Sequence, residues 1–253
     1  LCELYLSTGH VVYASVPAGA SRGKREAFEL RDGGERLMGR GVLRAIDNVE
    51  RIIAPALLGK EPDLVVMDSI MLEIDGTPDK RKLGANAMLA VSMAVCRAQA
   101  LMNQLELFEF IAQLHETGSV SLPFPMFNVF NGGVHSNNSF PLQEIMIVPV
   151  GAQNFRVSLE AATDVFHVLK QLLEKAGKST AVGDEGGFAP QFAHDREPFD
   201  FIMEAIALTK NDGLFTIAID VAATQFYDQN TGFYLWRGKE KTIEDMIVFY
   251  QKI

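Results

Sequence analysis

The chain has little of what several common kinds of protein are built on. Cysteine is scarce: Cys2 and Cys96 are the only two in 253 residues. They lie far apart with no Cys-x-x-Cys, which excludes a disulfide framework or a cysteine-rich zinc site and fits a reducing compartment. Basic charge is also short, with 23 Lys and Arg against 32 Asp and Glu and a net charge of -9. Nucleic-acid backbone and anionic membrane both need a basic face, so neither is an expected partner. The longest apolar run, residues 87–96, falls far short of the roughly 20 residues of a membrane span, and Asn86 and Arg97 flank it. The start, Leu1, leads straight into strand-like sequence with no signal-peptide pattern. What is present is a 48% hydrophobic content, enough at this length for one large domain or two modest ones. The acidic balance suits a protein that holds cations with carboxylates.

The apolar periodicity divides the chain. Residues 1–16 alternate around Ser7-Thr8-Gly9-His10 and predict a hairpin. Helices are expected at 41–58, along Val42, Ile46, Val49 and Ile53, and at 67–74, 83–102 and 106–115. The Ala-rich third of these is apolar on most sides and should be buried. After a linker at 119–125 the pattern changes. Strands are expected at 125–133, 142–149 and 215–222. Between them lie a helix at 154–176, capped by Asn154 and stopped by Gly177, and a second at 197–210. The first should bury Phe155, Leu159, Ala162, Phe166, Leu169 and Leu173. Thr242 and Asp245 read as a capping box opening a last helix. The expected division is an α+β domain over 1–118 and a second domain over 119–253.

Chemistry concentrates at Val182-Gly-Asp-Glu-Gly-Gly-Phe-Ala-Pro190. Two adjacent carboxylates between glycines, closed by a proline, cannot be absorbed into a helix or regular strand. Either a solvated turn or a cleft would present them. Asp220 stands toward the end of an apolar strand, where a charge must be paired, hydrogen-bonded or bound to metal. It reads as a satisfied core residue or as a strand-end site residue. His135, after the Gly132-Gly133 pair, fits a strand-end site as well, or is an incidental loop histidine. Gln143 and Glu144 are adjacent, so strand alternation would send only one inward. Glu144, Glu185 and Asp220 together offer hard oxygen ligands suited to Mg²⁺. Two carboxylates in proximity would also keep one protonated near neutral pH. A separate match, Gly19-Ala20-Ser21-Arg22-Gly23, fits the G-x-S-x-G elbow of serine hydrolases. The strand-helix alternation that such an elbow needs does not follow it.

Six ordered blocks carry a resemblance. They are Pro17-Ala-Gly-Ala-Ser-Arg-Gly-Lys-Arg-Glu-Ala-Phe-Glu-Leu-Arg-Asp-Gly33, Asp75-Gly-Thr-Pro-Asp-Lys-Arg-Lys-Leu-Gly-Ala-Asn86, Asn128-Val-Phe-Asn-Gly-Gly-Val-His135, Leu142-Gln-Glu-Ile-Met-Ile147, the acidic turn 182–190, and Ile219-Asp-Val-Ala-Ala223. Through them the chain resembles the enolase family over nearly its whole length. The resemblance implies an α/β fold: a small α+β N-terminal domain followed by the first part, about three strands, of an enolase-type β/α barrel. It implies a cytoplasmic lyase of glycolysis that dehydrates the phosphorylated small molecule 2-phosphoglycerate to phosphoenolpyruvate with Mg²⁺, and a homodimer when complete. By motif, Glu185 is the acid at the departing hydroxyl with Glu144 beside it. Substrate contacts fall to His135, Gln143 and Glu144, and metal ligation to Asp220 and, on a closing loop, Ser21. The loop departs from the family at Ala18 and Arg22, where Ser and Thr are usual, which adds a cation to a lid. The family's Lys base, its other two metal carboxylates and its phosphate-binding Arg and Ser have no counterpart before Ile253. The chain is therefore expected to be a fragment, inactive by itself. A truncated relative kept as a binding or structural protein is the alternative, separated from the first by whether the gene continues in frame.

Overall fold

A computed structural model of the chain describes residues 1–19, 23–133 and 140–253. These fall into two compact units, Leu1–Ser121 and Leu122–Ile253.

The first unit opens with the expected hairpin, β1 (Cys2–Tyr5) and β2 (Val11–Ala14), in register Cys2 to Ala14. Gly9, at φ 87°, turns the chain between them. The single helix expected at 41–58 is interrupted: α1 (Leu43–Asn48) widens into a π-helical segment, Val49–Ile53, before α2 (Ala54–Leu57). Pro55 lacks the N–H that an α-turn would use, and a wider turn accommodates that loss. Asp63 caps α3 (Leu64–Asp75) by accepting from Val66 N, and Gly76 ends it in the left-handed region. Asp75 then ties the following loop down, accepting from Thr77 N at 2.9 Å and Leu83 N at 2.7 Å. Burial would raise this carboxyl, but the hydrogen bonds from Thr77 and Leu83 outweigh it and hold it below the usual range.

The long helix α4 (Ala85–Met102) lies within the helix expected at 83–102. By length and composition it is the one described helix that could cross a membrane. It packs against β1, β2, α1, α3 and α5 (Leu107–Leu114). Its buried Ala87, Val91 and Val95 share a core with Ile53, Met67, Met71 and Leu83.

The second unit holds a three-stranded sheet ordered β3 (Phe127–Asn131), β4 (Glu144–Val148), β5 (Thr216–Asp220), antiparallel at both junctions. No closed barrel is formed by the described residues. One face of this sheet is covered by α6 (Phe155–Lys175) and α7 (Glu197–Leu208), with Ile145, Ile147, Val165, Leu169, Leu173 and Ile202 all fully buried between them.

The buried side of α6 differs from expectation at its start. Phe155 and Leu159 are exposed, and Ser158, Ala161 and Ala162 are buried instead. A hairpin that the sequence reading did not anticipate, β6 (Tyr234–Trp236) and β7 (Lys239–Lys241), follows β5. It is tied to the segment before α7, where Trp236 Nε1 donates to Asp195 Oδ2 at 2.9 Å and Arg237 pairs with Asp195 at 2.7 Å. The capping box of Thr242 and Asp245 opens α8 (Ile243–Tyr250) as expected.

Candidate active site

The antiparallel sheet brings one end of each strand to one place. Asn131 closes β3, Glu144 opens β4 and Asp220 closes β5, and the register pairs Asn131 with Glu144 and Glu144 with Asp220. Directly opposed residues point to the same face, so these three polar side chains form one row across the sheet end. Asp220 stands at the C-terminal end of its strand, as expected. Glu144 reaches the same edge from the N-terminal end of a strand that runs the other way, a position that the parallel-barrel rule does not anticipate.

The acidic turn joins this row along the other side of β3. Phe188 pairs with Phe130 in parallel and with Val182 across the turn. Its N–H donates to Val129 O at 2.9 Å, and Asn131 N donates to Phe188 O at 2.9 Å. Inside the turn Gly183 N donates to Gly187 O at 2.8 Å, and Gly187 N to Asn131 Oδ1 at 2.9 Å. Gly187 is required by contact: a β-carbon there would lie 2.8 Å from Asn128 Oδ1 and 2.9 Å from Asn131 Oδ1. The turn is thus a docked loop that delivers Glu185 to Glu144, and the two carboxyls are hydrogen-bonded.

Burial, that hydrogen bond and the neighbouring charges of Glu185 and Asp220 push the Glu144 carboxyl up to about 7. Near neutral pH a proton is therefore held between two carboxylates, an arrangement suited to donating it. One consequence is measurable. The folded protein keeps this proton between about pH 4.5, the ordinary value, and about 7, whereas the unfolded chain has already lost it. Stability from this group is therefore greatest below 4.5 and declines as pH rises through 7. Glu144→Gln mimics the protonated form. In thermal melts with EDTA the variant should be more stable than the parent above pH 7 and equal to it below 4.5, and a constant difference at all pH values would refute the shared proton.

Gln143 resolves differently from the either-or that alternation offered. It precedes β4, is 7% exposed, and serves the site together with Glu144. Its N–H donates to Asp220 O at 3.1 Å, its carbonyl accepts from Gly132 N at 2.8 Å, and its Nε2 donates to Asp220 Oδ2 at 3.2 Å. Glu144, Glu185, Gln143 and Asp220 are thus brought together. His135 and Ser21 lie outside the described residues, as does Arg22. Asn131 and Gln225 were missed in the sequence. The Asn-Gly-Gly run was a signal for the first, and nothing in the pattern marked the second.

The fit to a divalent cation is incomplete. Asp220 already accepts from Gln143 and, through Oδ1, from Ala222 N at 3.0 Å. Among the described residues no group of three His, Cys, Asp or Glu is arranged to hold a metal ion. The Glu144 and Glu185 pair can hold a proton and donate it.

An open sheet backed by two helices, with a carboxylate row at one end, defines an α/β protein carrying a carboxylate cluster on strand ends and an adjoining loop. The family model for the enolase N-terminal domain matches residues 1–111, and that for the enolase C-terminal TIM barrel domain matches residues 119–253. The chain belongs to the enolase family, whose members are lyases that normally use Mg²⁺. The serine-hydrolase reading of residues 19–23 falls partly outside the described residues; among those described, the strands before it form an antiparallel hairpin and the first α-helix begins at Leu43.

Proposed function

We propose that this chain carries the acid side of the active site of an enolase that dehydrates 2-phosphoglycerate to phosphoenolpyruvate. The observation that supports this reading best is the hydrogen-bonded pair of Glu144 and Glu185 beside Asp220, with a proton retained to about pH 7. Loss of a β-hydroxyl as water needs a proton delivered at the oxygen. Glu185, on the turn, is proposed to deliver it, and Glu144 to hold it in reserve. Gln143 orients Asp220, and Asp220 is proposed as one carboxylate ligand of Mg²⁺, with His135 and Ser21 proposed in the substrate and metal roles that the family motif gives them. Location in the cytoplasm, a place in glycolysis and a homodimer are further proposals from family membership.

Elimination also needs a base at the substrate carbon. The carboxylate row is proposed to serve as acid and orienting groups, and no base is assigned among the described residues. Residues 1–253 alone are therefore proposed to be inactive. The test is phosphoenolpyruvate formation from 2-phosphoglycerate and Mg²⁺, by the whole gene product and by residues 1–253, each purified free of host enzyme. Turnover by the whole product with none by residues 1–253 is the expected result. A whole product that leaves 2-phosphoglycerate unchanged would overturn the substrate, and turnover by residues 1–253 would overturn the assignment of these residues to the acid side only.

A further inference from the structure

The amide of Gln143 can occupy its buried place in two orientations that differ only by exchange of oxygen and nitrogen. Its neighbours decide between them. An ionised Asp220 can only accept, so the NH₂ of Gln143 must face Asp220 Oδ2, at 3.2 Å. Oε1 of Gln143 then faces the other way and needs a donor. Gln225 supplies one, with Nε2 at 2.5 Å. The order Gln225, Gln143, Asp220 therefore has a single polarity, in which every donor points toward the carboxylate.

The backbone places Gln225 for this. It ends the short 3-10 turn Ala223–Gln225, and Gln225 N donates to Ala222 O at 2.9 Å. Ala222, held at φ 45°, gives its own N–H to Asp220 Oδ1 at 3.0 Å. One turn thus reaches both carboxylate oxygens of Asp220, directly by its backbone and indirectly through Gln143. Gly133 leaves room for the Gln225 amide, since a β-carbon there would stand 3.0 Å from Gln225 Oε1.

We propose that Gln225 is a positioning residue of the candidate active site, fixing the amide of Gln143 so that its NH₂ faces Asp220. The proposal rests on the reading that Gln143 and Asp220 belong to that site. Gln225→Glu tests it, because a carboxylate of the same shape accepts where the amide donated. Gln143 should then turn its NH₂ toward residue 225 and present oxygen to Asp220. Gln225→Leu, which offers neither donor nor acceptor, should leave the Gln143 amide without a fixed orientation.

The readout is the side-chain amide spectrum of the full chain labelled with ¹⁵N, with the Gln143 signals assigned by their loss in Gln143→Met. In the parent the NH₂ protons of Gln143 should show nuclear Overhauser contacts to the β-protons of Asp220. In Gln225→Glu these should move to the γ-protons of residue 225, and in Gln225→Leu weaken by about fivefold or more. Unchanged Ile145 and Ile147 methyl signals would show the sheet intact in each variant. Contacts to Asp220 that persist in both variants would overturn the proposal.

A second readout separates this inference from the reading beneath it. In a whole gene product that turns over 2-phosphoglycerate, Gln225→Glu should lower kcat by about tenfold, the scale of one hydrogen bond, with KM changed less than about twofold on the same scale. A product with no turnover would remove the assigned reaction while leaving the amide result to stand or fall separately. Normal kcat together with a reoriented amide would overturn the positioning role.

Discussion

In the whole gene product, Glu185→Gln is expected to slow loss of the substrate hydroxyl by about 10²–10⁴-fold, the usual worth of a positioned general acid. Exchange of the C2 hydrogen with D₂O should continue. The amide keeps the size of the side chain and can still hydrogen-bond Glu144, so the docked turn should survive. What it removes is the transferable proton on the group proposed to stand at the leaving oxygen. Proton abstraction from carbon is a separate event, proposed to belong to a different residue, and should be spared. Asp220→Asn should behave differently. It would alter the group that Gln143 and Ala222 both address and should impair exchange and elimination together. If Glu185→Gln loses both in parallel, or retains near-normal turnover, the acidic turn has a structural role and the acid lies elsewhere.

The second large effect is expected from Gly132→Ala. A β-carbon at this position would sit 2.3 Å from the carbonyl oxygen of Leu142 and 2.6 Å from that of Phe140. Both are backbone atoms: Phe140 O accepts from Gly133 N, and the residue after Leu142 is held by Gly132 N donating to Gln143 O, each at 2.8 Å. No side chain can rotate away to make room, so the strand end must open. The cost should reach or exceed the upper end of the about 1–3 kcal/mol typical of overpacking, lowering the thermal midpoint of the unit Leu122–Ile253 by on the order of 10 °C. Gly186→Ala is the control. Its φ is +84° and nothing lies within 4 Å, so only left-handed strain of about 1–2 kcal/mol applies. Equal shifts for the two would show that the strand end yields to the added methyl.

The sequence disclosed the elements that depend on local periodicity and caps. Asn154 and Gly177 bracketed α6 because one side-chain acceptor and one left-handed residue suffice to start and stop a helix. The side on which α6 is buried was less legible. Alanine and serine carry little hydrophobic signal, and Ser158 and Ala161 took places assigned to Phe155 and Leu159. The β6 and β7 hairpin was missed because its turn, Arg237-Gly238 at φ 48° and 75°, lacks the Asn or Asp that usually announces two left-handed residues.

At the site, residue types were legible and partnership was not. Glu144, Glu185 and Asp220 stood out as carboxylates on apolar or glycine-rich backgrounds. That Glu144 opposes Asp220 follows from β4 running against both neighbours, and strand direction is a tertiary property. Gln225 had no signal, because its role depends on which way a buried amide 82 residues away is turned.

The pairing of Glu144 with Asp220 in adjacent strands has a mechanical consequence. Directly opposed positions of an antiparallel ladder are held at about 4.5–5.5 Å by the backbone bonds themselves. The backbones that carry these two carboxylates cannot drift apart, as those of loops can; only the side chains can turn. Glu185 is held by its docked turn and not by that ladder. Repulsion between the strand-borne pair is lowered further by what arrives, whether a proton or a positively charged ligand. The ladder therefore works as a rigid spring clip, whose tension is discharged by occupancy and not by movement of the frame.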